Sequence, residues 1–235
     1  MIGTELLDDP RADPVAVANE LRDIARFNTL FGGTRAVLRE LEPLFRDGRG
    51  TGENWTLLDV GAGLGDIPRA AARAARRYGI TLRLVAIERN RAAARLAPTA
   101  ERDVPLAMVL ADGGALPLRP RSVDVIVASQ VLHHLPREVS VRWIGSFDRV
   151  ARRAVVLADL RRSRIAMAGV WAASLGLAMS GLTRRDAVVS VRRGYTRAEF
   201  QGMLQEAGIR AVARERPGFR IVAAWTPEGR SPGSR

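Results

Sequence analysis

Thr56-Leu57-Leu58-Asp59-Val60-Gly61-Ala62-Gly63-Leu64-Gly65-Asp66-Ile67-Pro68 is the stretch on which the fold turns. Its apolar run, Leu57 to Val60, reads as a buried strand and stops at three glycines, Gly61, Gly63 and Gly65. An Ala/Arg helix, Ile67 to Arg77, follows at once. Strand, glycine turn and helix open a nucleotide-binding βαβ unit. The glycines let backbone approach a ligand closely, and the helix start behind them offers free N–H groups. A dinucleotide fingerprint places its third glycine three positions after the second, where this chain has Asp66. Asp59, two residues before the first glycine, can accept from a cationic amine or hold the turn through backbone N–H groups. It would do little for an anionic pyrophosphate.

Asp59-Val60-Gly61-Ala62-Gly63-Leu64-Gly65 resembles motif I, [DE]-x-G-x-G-x-G, of the class I S-adenosylmethionine-dependent methyltransferases. The resemblance implies an α/β, Rossmann-like, mostly parallel seven-stranded sheet with helices on both faces. It also implies S-adenosylmethionine as cofactor, S-adenosylhomocysteine as product, and the turn residues Gly61, Ala62 and Gly63 at the cofactor. Thr81 to Ile87 alternates into a second strand ending at Glu88, a little over twenty residues beyond the turn, where an acid can accept from both ribose hydroxyls. Arg89 follows it as a further cofactor candidate; a surface glutamate between arginines is the plain alternative. A short helix, Arg91 to Leu96, leads to a third strand, Val104 to Ala111, and then to Asp112-Gly113. In the resembled family an acid here reaches the adenine amino group and the next N–H meets a ring nitrogen; Asp-Gly also forms a turn with no ligand.

A fourth strand, Ser122 to Ser129, leads into Gln130-Val131-Leu132-His133-His134-Leu135-Pro136. This segment resembles the ubiquinone/menaquinone and small-molecule branch, in which the strand end, here Ser129 and Gln130, passes under the methionine part of the cofactor. Methyl transfer to a phenol needs a base, and His133 and His134 are the only histidines; their alternative role is to fix the backbone beside the cofactor. Asp159-Leu160-Arg161-Arg162-Ser163 and Ser190-Val191-Arg192-Arg193 resemble a subgroup associated with type III polyketide synthase pathways. Arg161, Arg162, Arg192 and Arg193, with Tyr195, are candidates to hold a carboxylate or phenolate of the acceptor, against ordinary surface ion pairing.

Upstream, Pro14 to Phe27 reads as an amphipathic helix, Asn28 to Thr34 as an interruption, and a second helix runs to about Phe45. Residues 1–50 are expected to form a helical lid from which Asn28 and Gly32-Gly33 meet the cofactor's carboxylate; a plain helix joint is the alternative. On the resemblance, residues 51–226 are expected to form the methyltransferase domain, and 227–235 a disordered Pro/Gly/Ser-rich tail. A helix over Arg137 to Val150 and a fifth strand, Ala154 to Leu160, precede a cap insertion over 161–195. Within it Ile165 to Leu182 is uncharged and flanked by arginines. It reads as one apolar cap helix over the substrate or a plain buried helix, with a peripheral membrane contact next. Thr196 and Glu199 announce a capped helix ending near Gly208. Strands Ile209 to Ala213 and Phe219 to Trp225 would close the sheet as a hairpin.

Composition narrows the chemistry. The chain has 235 residues and no cysteine, which excludes disulfides, thiolate nucleophiles and cysteine zinc sites; with two histidines, no metal is expected. The net charge is +12, yet every basic residue is arginine and the arginines are scattered, as a GC-rich coding bias produces. Nucleic acid is therefore not an expected partner, and Ala128-Ser129-Gln130-Val131 stands where nucleic-acid enzymes of this fold carry [ND]-P-P-[YF]. The N-terminus lacks the pattern of a signal peptide, so the cytoplasm is the expected compartment. The expected acceptor is a lipophilic aromatic small molecule, a polyketide, alkylresorcinol or quinone type, methylated on O or C; oligomeric state stays open. An NAD-dependent oxidoreductase and a non-catalytic cofactor- or lipid-binding protein are the rival readings.

Overall fold

The computed structural model describes residue 6 and residues 11–50, 52–100, 104–114, 116–176 and 181–227. Helix α1 (Pro14–Leu30) starts at a cap where Asp13 accepts from the Ala16 N–H at 2.9 Å and Pro14 occupies the first turn. It runs past Asn28, so the expected interruption at Asn28 to Thr34 contracts to Phe31-Gly32, where Gly32 takes a φ of 77°. Helix α2 (Gly33–Asp47) then buries Val37, Leu41 and Phe45 completely against the sheet.

Seven strands follow: β1 (Asn54–Val60), β2 (Thr81–Glu88), β3 (Leu106–Leu110), β4 (Val123–Ser129), β5 (Ala151–Leu160), β6 (Arg214–Arg216) and β7 (Arg220–Trp225). Their order is β3-β2-β1-β4-β5-β7-β6; β1 to β5 are parallel, and β7 runs antiparallel to both β5 and β6. The Rossmann-like sheet read from the glycine turn is therefore borne out. Chain order reverses direction between β1 and β4, which opens a crevice at their carboxyl ends.

Alternation along the strands sorts two cores. Leu57, Val125, Val127, Val156 and Val222 face α2 and α3 (Asp66–Arg76), together with Ala97 of α4 (Arg91–Ala100). Leu58, Val60, Ile126, Val155 and Ile221 face α5 (Arg137–Val150) and α8 (Arg197–Glu206), which supply Trp143, Phe147, Phe200 and Met203. Each such fully buried side chain contributes about 1.5–3 kcal/mol. Helix α8 begins with the expected capping box, Thr196 and Glu199.

Two elements differ from the sequence reading. The apolar run Ile165 to Leu182 is not one helix. α6 (Arg164–Gly176) and α7 (Gly181–Arg193) share it, residues 177–180 lie outside the described residues, and α7 continues through Ser190 to Arg193. Glycines at 176 and 181 bracket the break. The apolar segment Ile209 to Ala213 forms no strand: the Gln201 side chain accepts from Ala213 N–H at 2.8 Å and donates to Ala211 O at 3.0 Å, and β6 starts only at Arg214. The α6–α7 insertion is stitched at its base, where Tyr195 N–H donates to Leu160 O at 2.9 Å and Arg162 N–H to Tyr195 O at 3.0 Å. Among the described residues no helix is long and apolar enough to cross a membrane.

Candidate functional site

All three glycines of the turn adopt positive φ: 75° at Gly61, 53° at Gly63 and 74° at Gly65. At Gly61 the requirement is double, since a Cβ there would also stand 2.6 Å from Val131 Cγ2. The turn is held by β2. Gly61 and Ala62 N–H groups donate to Ile87 O at 2.8 and 3.3 Å, and Gly63 N–H donates to Glu88 Oε2 at 3.0 Å. Glu88 Oε1 accepts from Asn90 N–H at 2.8 Å. From below, Arg69 of α3 is 1% exposed and donates to Leu64 O at 2.6 Å, Gly65 O at 3.3 Å, Ala97 O at 2.6 Å and Val104 O at 3.2 Å. This arginine is a structural staple of the turn, not an anion site. Gly65 caps α3 without a side-chain bond.

A cleft of about 210 Å³ opens over this turn at the switch point. Every cofactor candidate lines it: Asp59, Gly61, Ala62, Gly63, Glu88 and Arg89 from the first half, with Asp112, Gly113, Ser129 and Gln130 from the next two strand ends. Leu21, Ile24 and Asn28 of α1 close one side. Four carboxylates, Asp59, Asp66, Glu88 and Asp112, line it together with Arg89. Asp59 is 2% exposed and its carboxyl is pushed well above the usual range, first by burial and then by the neighbouring Asp66 and Glu88 charges. Among the described residues no cationic side chain pairs with Asp59. Asp112 accepts from Gly114 N–H at 2.8 Å, so it makes the Asp-Gly turn and lines the cleft at once. Ser129 Oγ and Trp143 Nε1, both on lining residues, are buried without a hydrogen-bond partner.

Gln130 sits at φ 55°, a conformation costly for a side-chain-bearing residue. Its amide donates to Asn28 Oδ1, and its Oε1 accepts from Arg220 Nη1 at 3.3 Å. Asn28 Nδ2 in turn donates to Asp66 Oδ2 at 3.3 Å. A chain of polar contacts thus runs from the start of α3 through α1 to the end of β4 and on to β7. Asn28 is 4% exposed, its side chain held between Gln130 and Asp66. Arg220 is buried, and burial lowers its guanidinium to about 10 against the opposing pull of Asp159.

After Gln130 a single 3-10 turn, Leu132–His134, carries both histidines. His133 Nδ1 lies 2.6 Å from Asp159 Oδ1, and His133 N–H donates to Asp159 Oδ2 at 3.3 Å. Burial would raise the Asp159 carboxyl, but the charge and hydrogen bond of His133 and the N–H of Leu160, at 2.7 Å, hold it below its usual value. His133 Nε2 is buried and has no partner. The His134 ring lies against His133 with centroids 4.2 Å apart, and its Nδ1 is 3.5 Å from Arg193 Nη1.

His133, His134 and Leu135 belong to two walls at once, for an outer pocket adjoins the cleft behind them. Arg162, Arg193 and Tyr195 line this outer pocket with Arg137 and Glu199. Arg162 pairs with Glu199, and burial raises the Tyr195 phenol, assisted by Asp159. Arg161 and Arg192 are elsewhere: Arg161 pairs with Glu215 and stacks on Phe219 at 5.3 Å, and Arg192 is exposed on α7. Sequence reasoning passed over Asp66, Trp143, Asp159 and Arg220 as site residues. Asp66, inside the glycine turn, and Asp159, at the head of the Asp159–Ser163 motif, had local signals; Trp143 and Arg220 come from elements that the topology brings in.

Residues 58–158 match the family model described as a methyltransferase domain. Among solved structures the chain is similar to a SAM-dependent methyltransferase from Aquifex aeolicus, at 17% identity and a TM-score of 0.62, over 92% of this chain and 99% of that one. It is similar to mitomycin 7-O-methyltransferase MmcR at 18% identity and a TM-score of 0.63, over 95% of this chain but 61% of that one. The magnesium protoporphyrin IX methyltransferase of Synechocystis PCC 6803, solved with bound SAM, matches at 14% identity and a TM-score of 0.54, over 84% and 80% of the two chains. At these identities the structures share the fold. No curated protein matches the sequence. The match over residues 58–158 marks a methyltransferase domain there, and with the fold it supports a SAM-dependent methyltransferase.

Proposed function

We propose that this enzyme transfers the methyl group of S-adenosylmethionine to a lipophilic, aromatic small molecule of polyketide, alkylresorcinol or quinone type. The observation that carries the cofactor assignment is the cluster of Asp59, Asp66 and Glu88 around one cleft, with the buried Asp59 lacking a cationic partner. Such a site favours a ligand bearing an ammonium and a sulfonium and disfavours a pyrophosphate. In this reading Glu88 accepts from the ribose hydroxyls, for each of its oxygens keeps a lone pair beyond the N–H it already accepts. Asp112 accepts from the adenine amino group and Gly113 N–H meets the ring. Asp59, Ser129 and Gln130 surround the methionine end.

Only α1 of the two N-terminal helices reaches the cleft, so the lid role falls to α1, while α2 is part of the sheet's packing. The outer pocket, bounded by Arg162, Arg193 and Tyr195, is the proposed acceptor site, and the α6–α7 pair is its apolar cap. Ile165 and Trp171 on α6 are 74% and 52% exposed beyond Arg164 at its start, which suits a lipophilic acceptor delivered at a membrane surface. Methyl transfer is an in-line displacement, and holding the two reactants in register supplies about 7–11 kcal/mol of barrier lowering.

The test is calorimetric titration with S-adenosylmethionine, S-adenosylhomocysteine and NAD, on the wild type and on Glu88→Ala, with melting followed in parallel. Micromolar binding of the first two, lost in a folded Glu88→Ala protein, is the expected result. Binding of NAD alone, or of none, would overturn the assignment.

A further inference from the structure

Helix α6 is apolar on both of its sides. Ala166, Met167 and Val170 turn inward onto Leu160, Val191 and Phe219. Ile165, Ala168, Gly169, Trp171 and Ala172 are exposed on the other side, where positions 165, 168, 169 and 172 make one row beside Trp171. A helix that is apolar all round is normally covered all round, and here the chain covers one side. Tryptophan marks the open side most clearly. Trp55 and Trp143 are buried and Trp225 donates to Asp148 at 2.9 Å, so Trp171 is the one exposed tryptophan of the four.

The charge around this face selects what covers it. Arginine is scattered along the whole chain, but acid is not. Residues 161–195 hold seven arginines and a single acid, Asp186, and so carry half of the chain's +12 in under a sixth of its length. That acid is 2% exposed and accepts from Leu6 N–H at 2.7 Å, so it does not offset the arginines at the surface. Arg161 and Arg162 are paired at the base with Glu215 and Glu199. Arg164, Arg185 and Arg192 are exposed. Arg164 precedes Trp171 by two turns of α6, and Arg185 and Arg192 are two turns apart on α7, so each pair shares a helix face.

We propose that the outer face of α6, with Arg164, Arg185 and Arg192 around it, docks the enzyme on an anionic phospholipid bilayer. A second copy related by a two-fold axis would set this face against itself and bring like charges together. Nucleic acid would satisfy the arginines and leave Ile165 and Trp171 in water. A lipid surface meets both needs: the isoleucine and tryptophan enter the acyl boundary, and the guanidiniums reach lipid phosphates. At 13 residues α6 is too short to span and lies in the interface plane. Helix α7 also lends Arg193 to the outer pocket, so docking sets that pocket beside the lipid.

The full chain, without cofactor, is mixed with vesicles of phosphatidylcholine alone and of equal parts phosphatidylcholine and phosphatidylglycerol. Binding is read by co-sedimentation and by tryptophan emission. The expected result is partition onto the anionic vesicles at least about tenfold stronger than onto the neutral ones, with a blue shift that Trp171→Ser removes. Ile165→Ser with Trp171→Ser should weaken binding about tenfold or more. Arg164→Gln, Arg185→Gln and Arg192→Gln together should weaken it by about fivefold per arginine. Both variants should keep the wild-type melting temperature, since the substituted side chains are exposed. A wild type that does not sediment with anionic vesicles overturns the proposal. So does binding that the arginine variant loses and the Ile165/Trp171 variant keeps, which is adsorption of a basic protein. A dimer in sedimentation velocity that Trp171→Ser dissociates overturns it too, the face then being a subunit contact. None of these outcomes needs S-adenosylmethionine, so a failure of the methyl-transfer reading leaves the docking in place.

Discussion

Arg69→Met isolates the staple beneath the glycine turn. Methionine matches the aliphatic length of the arginine and removes every donor. Four carbonyls receive bonds from this guanidinium, at 2.6, 3.3, 2.6 and 3.2 Å. Gly65 O keeps a second donor, the Arg69 backbone N–H at 3.3 Å, which leaves Leu64, Ala97 and Val104 to lose theirs. A buried acceptor stripped of its partner costs about 1–3 kcal/mol, so three give roughly 3–9 kcal/mol. Against this, folding no longer has to desolvate a guanidinium, which returns several kcal/mol. The net expectation is a loss of about 3 kcal/mol, or a melting temperature lower by roughly 6–12 °C for a chain of this size. Because two of the bonds hold Leu64 and Gly65, S-adenosylmethionine affinity should fall too, measured at a temperature where both proteins are folded. Scanning calorimetry with and without cofactor gives both numbers. A drop of under about 2 °C would show that the carbonyls find other donors, and the staple reading would be wrong.

Gly61→Ala combines an αL penalty of about 1–2 kcal/mol with a Cβ contact 2.6 Å from Val131 Cγ2; calorimetric titration should show cofactor affinity weakened at least about tenfold. Asp59→Asn should melt higher than the wild type at neutral pH without cofactor. The folded-state carboxyl is raised above 3.8, so its destabilisation is absent at low pH and grows as pH climbs through the unfolded and then the folded value. The two melting curves should therefore converge in acid, and the same variant should bind S-adenosylmethionine about tenfold or more weakly for want of a charge-assisted bond of about 1.5–3 kcal/mol. Asn28→Ala removes the acceptor for Gln130 and the donor to Asp66, and is expected to cost about 1–3 kcal/mol. Amide exchange should accelerate along α1 and leave β4 and β5 unchanged.

How far the sequence is legible follows from what each element depends on. The β1 turn and α3 were read to within a residue or so because glycine spacing and a following helix are local properties, and the Thr196–Glu199 box is equally local. Ile209 to Ala213 was misread because mostly apolar composition supplies no ladder partner: only Ile209 and Ala213 are buried, Val212 is 48% exposed, and the Gln201 side chain takes backbone groups of Ala211 and Ala213. The run over 165–182 carries no charge anywhere, so nothing in hydropathy marks where one helix stops and another starts. All ten cofactor candidates converge because strand ends of a parallel sheet must converge. Asp159 was missed as a partner of His133 because twenty-six residues separate them, and only the pairing of Ser129 with Ala158 places the turn after β4 beside the end of β5. Arg161 and Arg192 share the arginine motifs with Arg162 and Arg193 but point to other neighbours, a distinction of register that composition does not carry.

The stitch at the base of the α6–α7 insertion has a bearing on how this chain could change. Leu160 and Tyr195 are joined by backbone bonds, so the sheet is closed before the insertion begins and after it ends. The loop-closure entropy that an excursion of this length would otherwise demand is met by the frame, and it grows only slowly with length. Whatever lies between those residues can be exchanged for a longer, shorter or more polar segment while the cofactor half keeps its geometry. The chain is in that sense a fixed engine with an interchangeable nozzle, and with the insertion as the proposed acceptor cap, acceptor range is the property it can most readily alter.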